Sequence, residues 1–162
     1  MIATELRVTT RSEQQTERLG ALLAGELSPG DIVLLSGELG AGKTTLVRGI
    51  AAGLGFDGDV TSPTFTLLHH YPGRLLLLHA DLWRLERLSE IEDLALDDEL
   101  AAGAVLVAEW GEAAEPLFSG RALAVRIGID QGELRHFEID ASAPGWAECA
   151  AGLSHVLGRP LS

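Results

Sequence analysis

Residues Ile32 to Thr45 read IVLLSGELGAGKTT. Four apolar residues in succession, Ile32 to Leu35, have the continuous hydrophobicity of a strand covered on both faces, as in a parallel sheet. The segment that follows, GELGAGKT from Gly37 to Thr44, fits the pattern GxxxxGK[ST], and Leu46, Val47, Ile50 and Leu54 then fall on one side of a helix. Strand, glycine loop and helix, in that order, is the context in which this pattern cradles phosphates. With 19 Gly, one Lys and 18 Ser plus Thr among 162 residues, a chance match is expected only roughly 0.0015 times in the chain. A structural glycine turn beside a surface lysine is therefore the poorer explanation. Lys43 is also the only lysine, the other eleven basic residues being arginine.

The chemistry follows from the residue types. Gly40 and Gly42 let backbone N–H groups converge on phosphate oxygens, Lys43 supplies a point charge to the terminal phosphates, and the Thr44 hydroxyl suits a magnesium ion. The expected nucleotide contacts are Glu38, Leu39, Gly40, Ala41, Gly42, Lys43, Thr44 and Thr45. A guanine-specific NKxD loop needs an asparagine and a further lysine, and the chain contains neither. ATP is the expected nucleotide.

Working outward, Glu5 to Thr10 alternates as a strand, and Ser12 with Gln15 forms a capping-box signature ahead of a helix carrying Leu19, Leu22 and Leu23. Beyond the phosphate loop, strands are expected near Phe65 to His70, Leu75 to His79 and Ala104 to Ala108, with one or two short helices in the acidic segment Leu88 to Leu100. Ala122 to Ile129 and Leu134 to Ile139 read as a hairpin turning near Gln131 and Gly132, and a helix is expected from about Pro144 to Leu157. No internal repeat or linker divides the chain, so residues 1–162 are read as a single domain. The fold class is α/β: a three-layer sandwich of the P-loop NTPase type, with a mostly parallel central sheet and an antiparallel extension.

Twelve basic against 24 acidic residues give a net charge of −12, which opposes direct, unassisted binding to DNA or RNA. Cys149 is the only cysteine, so neither an intrachain disulfide nor a cysteine zinc cluster can form. The opening MIATELRVTTRSEQ lacks the apolar core of a signal peptide, and no run approaches the ~20 apolar residues of a membrane span. A cytoplasmic protein without a membrane partner is expected.

Two carboxylates stand where buried strands end. Asp81 follows LLLLHA and Glu109 follows AVLVA, at the sheet's carboxyl edge, where P-loop proteins complete the metal site and align the attacking water. These two and Lys43 are the candidate catalytic residues, and Thr44 and Glu109 the candidate metal ligands. His79 and Asp81, spaced by two, share a strand face. Without further His or Cys nearby they make a poor zinc site, and His79 reads better as packing beneath the nucleotide. Trp110 is either packing or a platform beside the nucleotide. Trp146, Cys149, His136 and His155 read as packing or surface residues, and Asp97, Asp98 and Glu99 as a solvated acidic face.

Taken together, GELGAGKTT at Gly37 to Thr45, SPTF at Ser62 to Phe65, HADLWRL at His79 to Leu85 and EW at Glu109 and Trp110 resemble the TsaE (YjeE) family of small bacterial ATPases. The resemblance runs from about Ser12 to Trp110 and includes a TxxLG-like start at Thr16 to Gly20. It implies an ATPase that works with the TsaB and TsaD proteins to place threonylcarbamoyl on an adenosine of tRNAs reading ANN codons. By the same resemblance, Thr44 and Glu109 hold Mg2+, Asp81 is an essential acid near the metal, and Thr10, Ser12 and Thr16 border the adenine. Ser62, Pro63 and Thr64 form a switch-like loop facing the γ-phosphate, and Arg84 and Trp110 are linked to switching or to partners. Trp83 stands in place of a common tyrosine, Gly111 in place of a proline, and Glu133 where a basic residue sometimes occupies the last hairpin turn, so no nucleotide contact is carried onto that turn.

The charge balance then favours action on the TsaB and TsaD complex over a grip on tRNA itself. Two rival readings remain at this point. A small-molecule kinase would use Asp81 as base, but the chain has no arginine or lysine between Leu88 and Gly120 to clamp a transferring phosphoryl group. A nucleotide-dependent binding switch with negligible hydrolysis is opposed by the intact Glu109.

Overall fold

In the computed structural model, which describes residues 4–38, 40–61, 68–82, 95–109, 115–118, 120–132 and 134–158, strand β1 (Glu5–Thr10) leads directly into helix α1 (Glu13–Ala24). The join is a reciprocal cap. The Ser12 hydroxyl accepts from the Gln15 amide at 3.1 Å, and the Gln15 side chain accepts from the Arg11 amide at 2.8 Å, so two donors at the helix start are satisfied. Strand β2 (Ile32–Gly37) and helix α2 (Lys43–Gly53) form the unit read from the glycine loop. There follow β3 (Leu68–Tyr71), β4 (Leu77–Asp81), α3 (Leu96–Ala101), β5 (Val105–Glu109), α4 (Glu115–Phe118), β6 (Leu123–Ile129), β7 (Arg135–Asp140) and α5 (Ala147–Leu157).

The seven strands make one sheet in the order β1-β7-β6-β2-β5-β4-β3. Its centre, β6-β2-β5-β4, is parallel. Antiparallel strands extend it on both sides, β7 and β1 beyond β6 and β3 beyond β4. The α/β sandwich with a parallel centre thus holds, and the expected hairpin is β6 and β7. Among the described residues β3 begins at Leu68, and the expected strand residues Phe65 to Leu67 lie outside them. Within the acidic segment α3 starts at Leu96, and Leu88 to Leu94 likewise lie outside. The last helix begins at Ala147 rather than near Pro144, because Gly145 at φ +94° still turns the chain and Trp146 is its non-helical cap.

Each sheet face has its own core. On one side Val33, Leu35, Val105, Val107, Phe137 and Ile139 pack beneath α1, α2 and α5. On the other, Ile32, Leu34, Leu78, Leu106 and Ala108 meet Leu96 and Leu100 of α3 and Phe118. Strict alternation along each strand sends neighbouring residues to opposite cores.

Helices α1 and α2 approach until backbone meets backbone. A methyl group on Gly49 would collide with the Glu17 main chain, and one on Gly20 with the main chain at Leu46 and Ile50. This contact holds the start of α1 against the start of α2, which is what assembles the site.

In an exposed helix Gly→Ala stabilises by up to about 1 kcal/mol, so the sign of one substitution tests the contact. Gly49→Ala is expected to destabilise by about 1–3 kcal/mol through overpacking, seen as a lower urea midpoint at unchanged slope. Ala52→Ser, at an exposed position of the same helix, should stay within about 0.5 kcal/mol of the parent.

Candidate functional site

The glycine loop leaves β2 at Gly37 and enters α2 at Lys43 through two left-handed residues, Gly40 at φ +81° and Gly42 at φ +108°. A side-chain carbon built on either would meet nothing within 4 Å, so the backbone conformation, and not crowding by the protein, requires glycine there. Gly42 caps α2 without any side-chain hydrogen bond. The first amides of that helix therefore face the loop, where the helix dipole favours an anion.

Lys43 is 5% exposed, and its ammonium donates to the carbonyls of Gly37 at 2.6 Å and Glu38 at 2.9 Å. These carbonyls satisfy a charge that would be costly to bury alone. Next to it, the Thr44 hydroxyl donates to the Glu109 carboxylate, 3.1 Å from Oε1 and 3.3 Å from Oε2. Sixty-five residues separate Thr44 from Glu109. The sheet brings them together, because β5 lies beside β2 with Glu109 opposite Leu35, and β4 lies beside β5 with Asp81 opposite Glu109.

Glu109 is buried, and its second donor is His79 Nε2, which meets Oε2 from the middle of β4. His79 is completely buried, and it holds the carboxylate, a contact the sequence did not indicate. Among the described residues no group of three or more His, Cys, Asp or Glu gathers as a metal cluster. Asp81 is half-buried at the end of β4.

On the other side of the loop a cleft of about 120 Å³ is lined by Ser12, Glu13, Thr16, Gly40, Gly42, Thr45 and Arg135. Ser12 and Thr16, expected near the base, are in its wall. Thr10 is not. It is fully buried behind Thr16, with the two hydroxyl oxygens 2.7 Å apart, and acts by fixing Thr16.

Arg135 is the residue that sequence reasoning missed. Glu133 in the hairpin turn lies outside the described residues, whereas Arg135 reaches the cleft because β7 pairs with β1 and sets Arg135 opposite Thr10. The alternation of β7 carried the signal. Arg135 shares a face with the buried Phe137 and Ile139, an unusual place for a cation unless it meets something polar. Its guanidinium donates to the carbonyls of Gly132 at 3.0 Å and Leu134 at 3.1 Å.

Of the remaining sequence candidates, Glu38 is exposed and Ala41 buried within the loop. Leu39, Ser62, Pro63, Thr64, Arg84 and Trp110 lie outside the described residues, as do Trp83 and Gly111. Cys149 is buried, and its thiol is pushed up to about 12 by burial first and by the charges of Glu26 and Asp31 second. It is inert packing. Trp146 is buried with its indole N–H donating to the Arg121 carbonyl at 2.9 Å. His136 bridges Thr9 and Asp130 on the surface, and Asp97 and Asp98 are exposed in the first turn of α3.

The chain has known relatives. A family model described as "Threonylcarbamoyl adenosine biosynthesis protein TsaE" matches residues 10–137. The chain is 45% identical over 107 residues to the tRNA threonylcarbamoyladenosine biosynthesis protein TsaE of Treponema pallidum, covering 66% of this chain and 79% of that one. It is 44% identical over 137 residues to the protein of the same name from Streptomyces coelicolor, covering 80% and 92% respectively. The crystal structure of Bacillus subtilis YdiB superposes with a TM-score of 0.78 at 29% identity, covering 98% of this chain and 97% of the other.

The Thr10–Thr16 pair generates a test by double substitution. Thr10→Val alone should cost about 1–3 kcal/mol, because it leaves a buried hydroxyl unpaired. Adding Thr16→Val should recover part of that loss, a non-additivity measured by urea denaturation of the four combinations.

Proposed function

The chain belongs to the TsaE family of threonylcarbamoyl adenosine biosynthesis proteins, and on that premise we propose that it is a Mg2+-dependent ATPase serving threonylcarbamoyladenosine formation in tRNA through the TsaB and TsaD proteins. One observation carries the reading. The hydroxyl that ends the phosphate-loop pattern and the carboxylate that ends the neighbouring parallel strand are in hydrogen-bond contact beside a helix N-terminus that has no side-chain cap.

Two hard oxygen donors at such a place suit Mg2+, which takes one or two protein ligands and fills its shell with phosphate oxygens and water. Thr44 and Glu109 would hold the ion, which neutralises charge on the β- and γ-phosphates when bound. The loop amides and Lys43 bind the phosphates. For that, the Lys43 ammonium exchanges its carbonyl partners at Gly37 and Glu38 for phosphate oxygens, a short movement for a flexible four-carbon stem. Ser12, Thr16 and Arg135 offer polar groups to the adenosine end in the cleft. Asp81 is level with Glu109 on the adjacent strand, and its role in this scheme is to orient the attacking water.

The surface charge bears on the partner. A net charge of −12 repels a polyphosphate backbone, so a place in a tRNA pathway is best served by protein contacts. ATP turnover then acts on the TsaB and TsaD complex. Among the described residues no helix is long and apolar enough to cross a membrane.

Phosphate release from ATP, measured for the chain alone and with TsaB and TsaD, should rise when the partners are added. Tight tRNA binding by the chain alone at physiological salt would count against the scheme. Lys43→Ala should abolish turnover and weaken nucleotide binding by about 10- to 100-fold, the worth of a hydrogen bond to a charged group. Glu109→Ala should lower kcat by about 100-fold or more while sparing most of the nucleotide affinity.

A further inference from the structure

His79 is completely buried in the centre of β4, on the face that also carries Leu77 and Asp81. Opposite it across β5 is Val107, and across β3 is His69, whose ring stands edge-on to His79 at a centroid distance of 6.3 Å. Tyr71 closes the pocket, its ring centroid 6.0 Å from that of His79. The surroundings are thus packed side chains, and the Tyr71 hydroxyl is engaged elsewhere, accepting from the Thr61 amide at 3.3 Å and donating to the Thr61 carbonyl at 3.2 Å. His79 Nε2 meets Glu109 Oε2, and the Tyr71 hydroxyl is 2.9 Å from His69 Nδ1.

The other nitrogen of the ring, His79 Nδ1, is buried and has no hydrogen-bond partner among the described residues. An unmatched buried polar atom is destabilising, and an apolar side chain of similar size would remove it. Packing therefore does not explain a histidine at this position. The bond to Glu109 does. A carboxylate only accepts, so the hydrogen in this bond sits on His79 Nε2, and the tautomer is fixed with Nε2 as donor.

The two donors to Glu109 differ in what they can do. Thr44 is a one-bond side chain at the start of α2, and its oxygen is the one that the nucleotide reading assigns to the metal. When that oxygen turns to the metal its contact with Glu109 must change. His79 is flanked by His69 and Tyr71 of β3 and by Val107 of β5 and has no such second duty.

We propose that His79 is the positioning residue for the metal site: by donating from Nε2 to Glu109 it keeps the carboxylate aimed at the Thr44 hydroxyl. This rests on the reading of Thr44 and Glu109 as Mg2+ ligands. It extends that reading from the groups that touch the ion to the one that orients them, a kind of contact whose loss commonly lowers metal affinity or activity by about 10–100-fold.

The test uses the whole chain with two substitutions. His79→Leu keeps the bulk and removes the donor, whereas His79→Gln retains an N–H group at nearly the same reach. Three quantities are read for each: thermal midpoint, affinity for a fluorescent ATP analogue without metal, and the Mg2+ concentration that gives half of the metal-dependent rise in that affinity. His79→Leu is expected to bind the analogue without metal as the parent does and to need about 10-fold more Mg2+. His79→Gln should restore most of the Mg2+ response. Long-range 15N–1H spectra of the parent should show a proton on His79 Nε2.

Equal Mg2+ requirements in the parent and His79→Leu would overturn the proposal while leaving the nucleotide reading intact. So would equal impairment of both variants in step with lost thermal stability, or a proton found only on Nδ1. A parent chain whose nucleotide affinity ignores Mg2+ would overturn the proposal together with the reading beneath it.

Discussion

Everything about the site depends on one parallel pairing, β2 against β5 in the register that sets Leu35 opposite Glu109. The phosphate loop is local, built by residues adjacent in sequence. A loop alone binds an anion and does little else. The pairing adds the carboxylate of a strand 65 residues away to the first turn of α2, and the next pairing, β5 with β4, adds Asp81 and His79. A one-residue slip would turn Glu109 to the opposite face, among Leu106 and Ala108. Register is well protected against that slip, since both faces of these strands are buried and each has its own core.

What could be read from the sequence follows the same division between local and distant. The glycine loop, the capping box at Ser12 and Gln15, the hairpin of β6 and β7 and the two strand-ending carboxylates were legible because each is specified within a few residues. Arg135 was not, because its place in the cleft is created by the pairing of β7 with β1, whose partners lie at opposite ends of the chain. Thr10 was legible as a neighbour of the site but not in its role, since only the fold shows its hydroxyl behind Thr16. The strand order, with β2 between β5 and β6, was beyond any pattern of spacing. For His79, periodicity gave the face and the burial, while its partner was a matter of register.

Packing and chemistry are joined at the α1–α2 contact. Gly20 and Gly49 let the two helices come close enough for Ser12 and Thr16 of one to share a cleft wall with Gly42 and Thr45 of the other. The backbone contact is rigid, whereas the groups it presents are the side chains of Ser12, Thr16 and Thr45. On the proposed reading, a fixed frame with adjustable polar tips would suit a ligand that arrives as a triphosphate and leaves as a diphosphate, because the frame need not be rebuilt in each cycle.

The solitary lysine has a consequence for covalent chemistry. Arginine supplies every other fixed positive side chain, and guanidinium groups do not undergo the acylations that amines do at neutral pH. Any acylating agent that seeks a side-chain amine in this chain thus has a single address, a buried ammonium clasped by the carbonyls of Gly37 and Glu38. On the proposed reading, loss of that one charge would remove the loop's cation for the terminal phosphates, and the clasp that withholds the amine from solvent shields the chain from such damage.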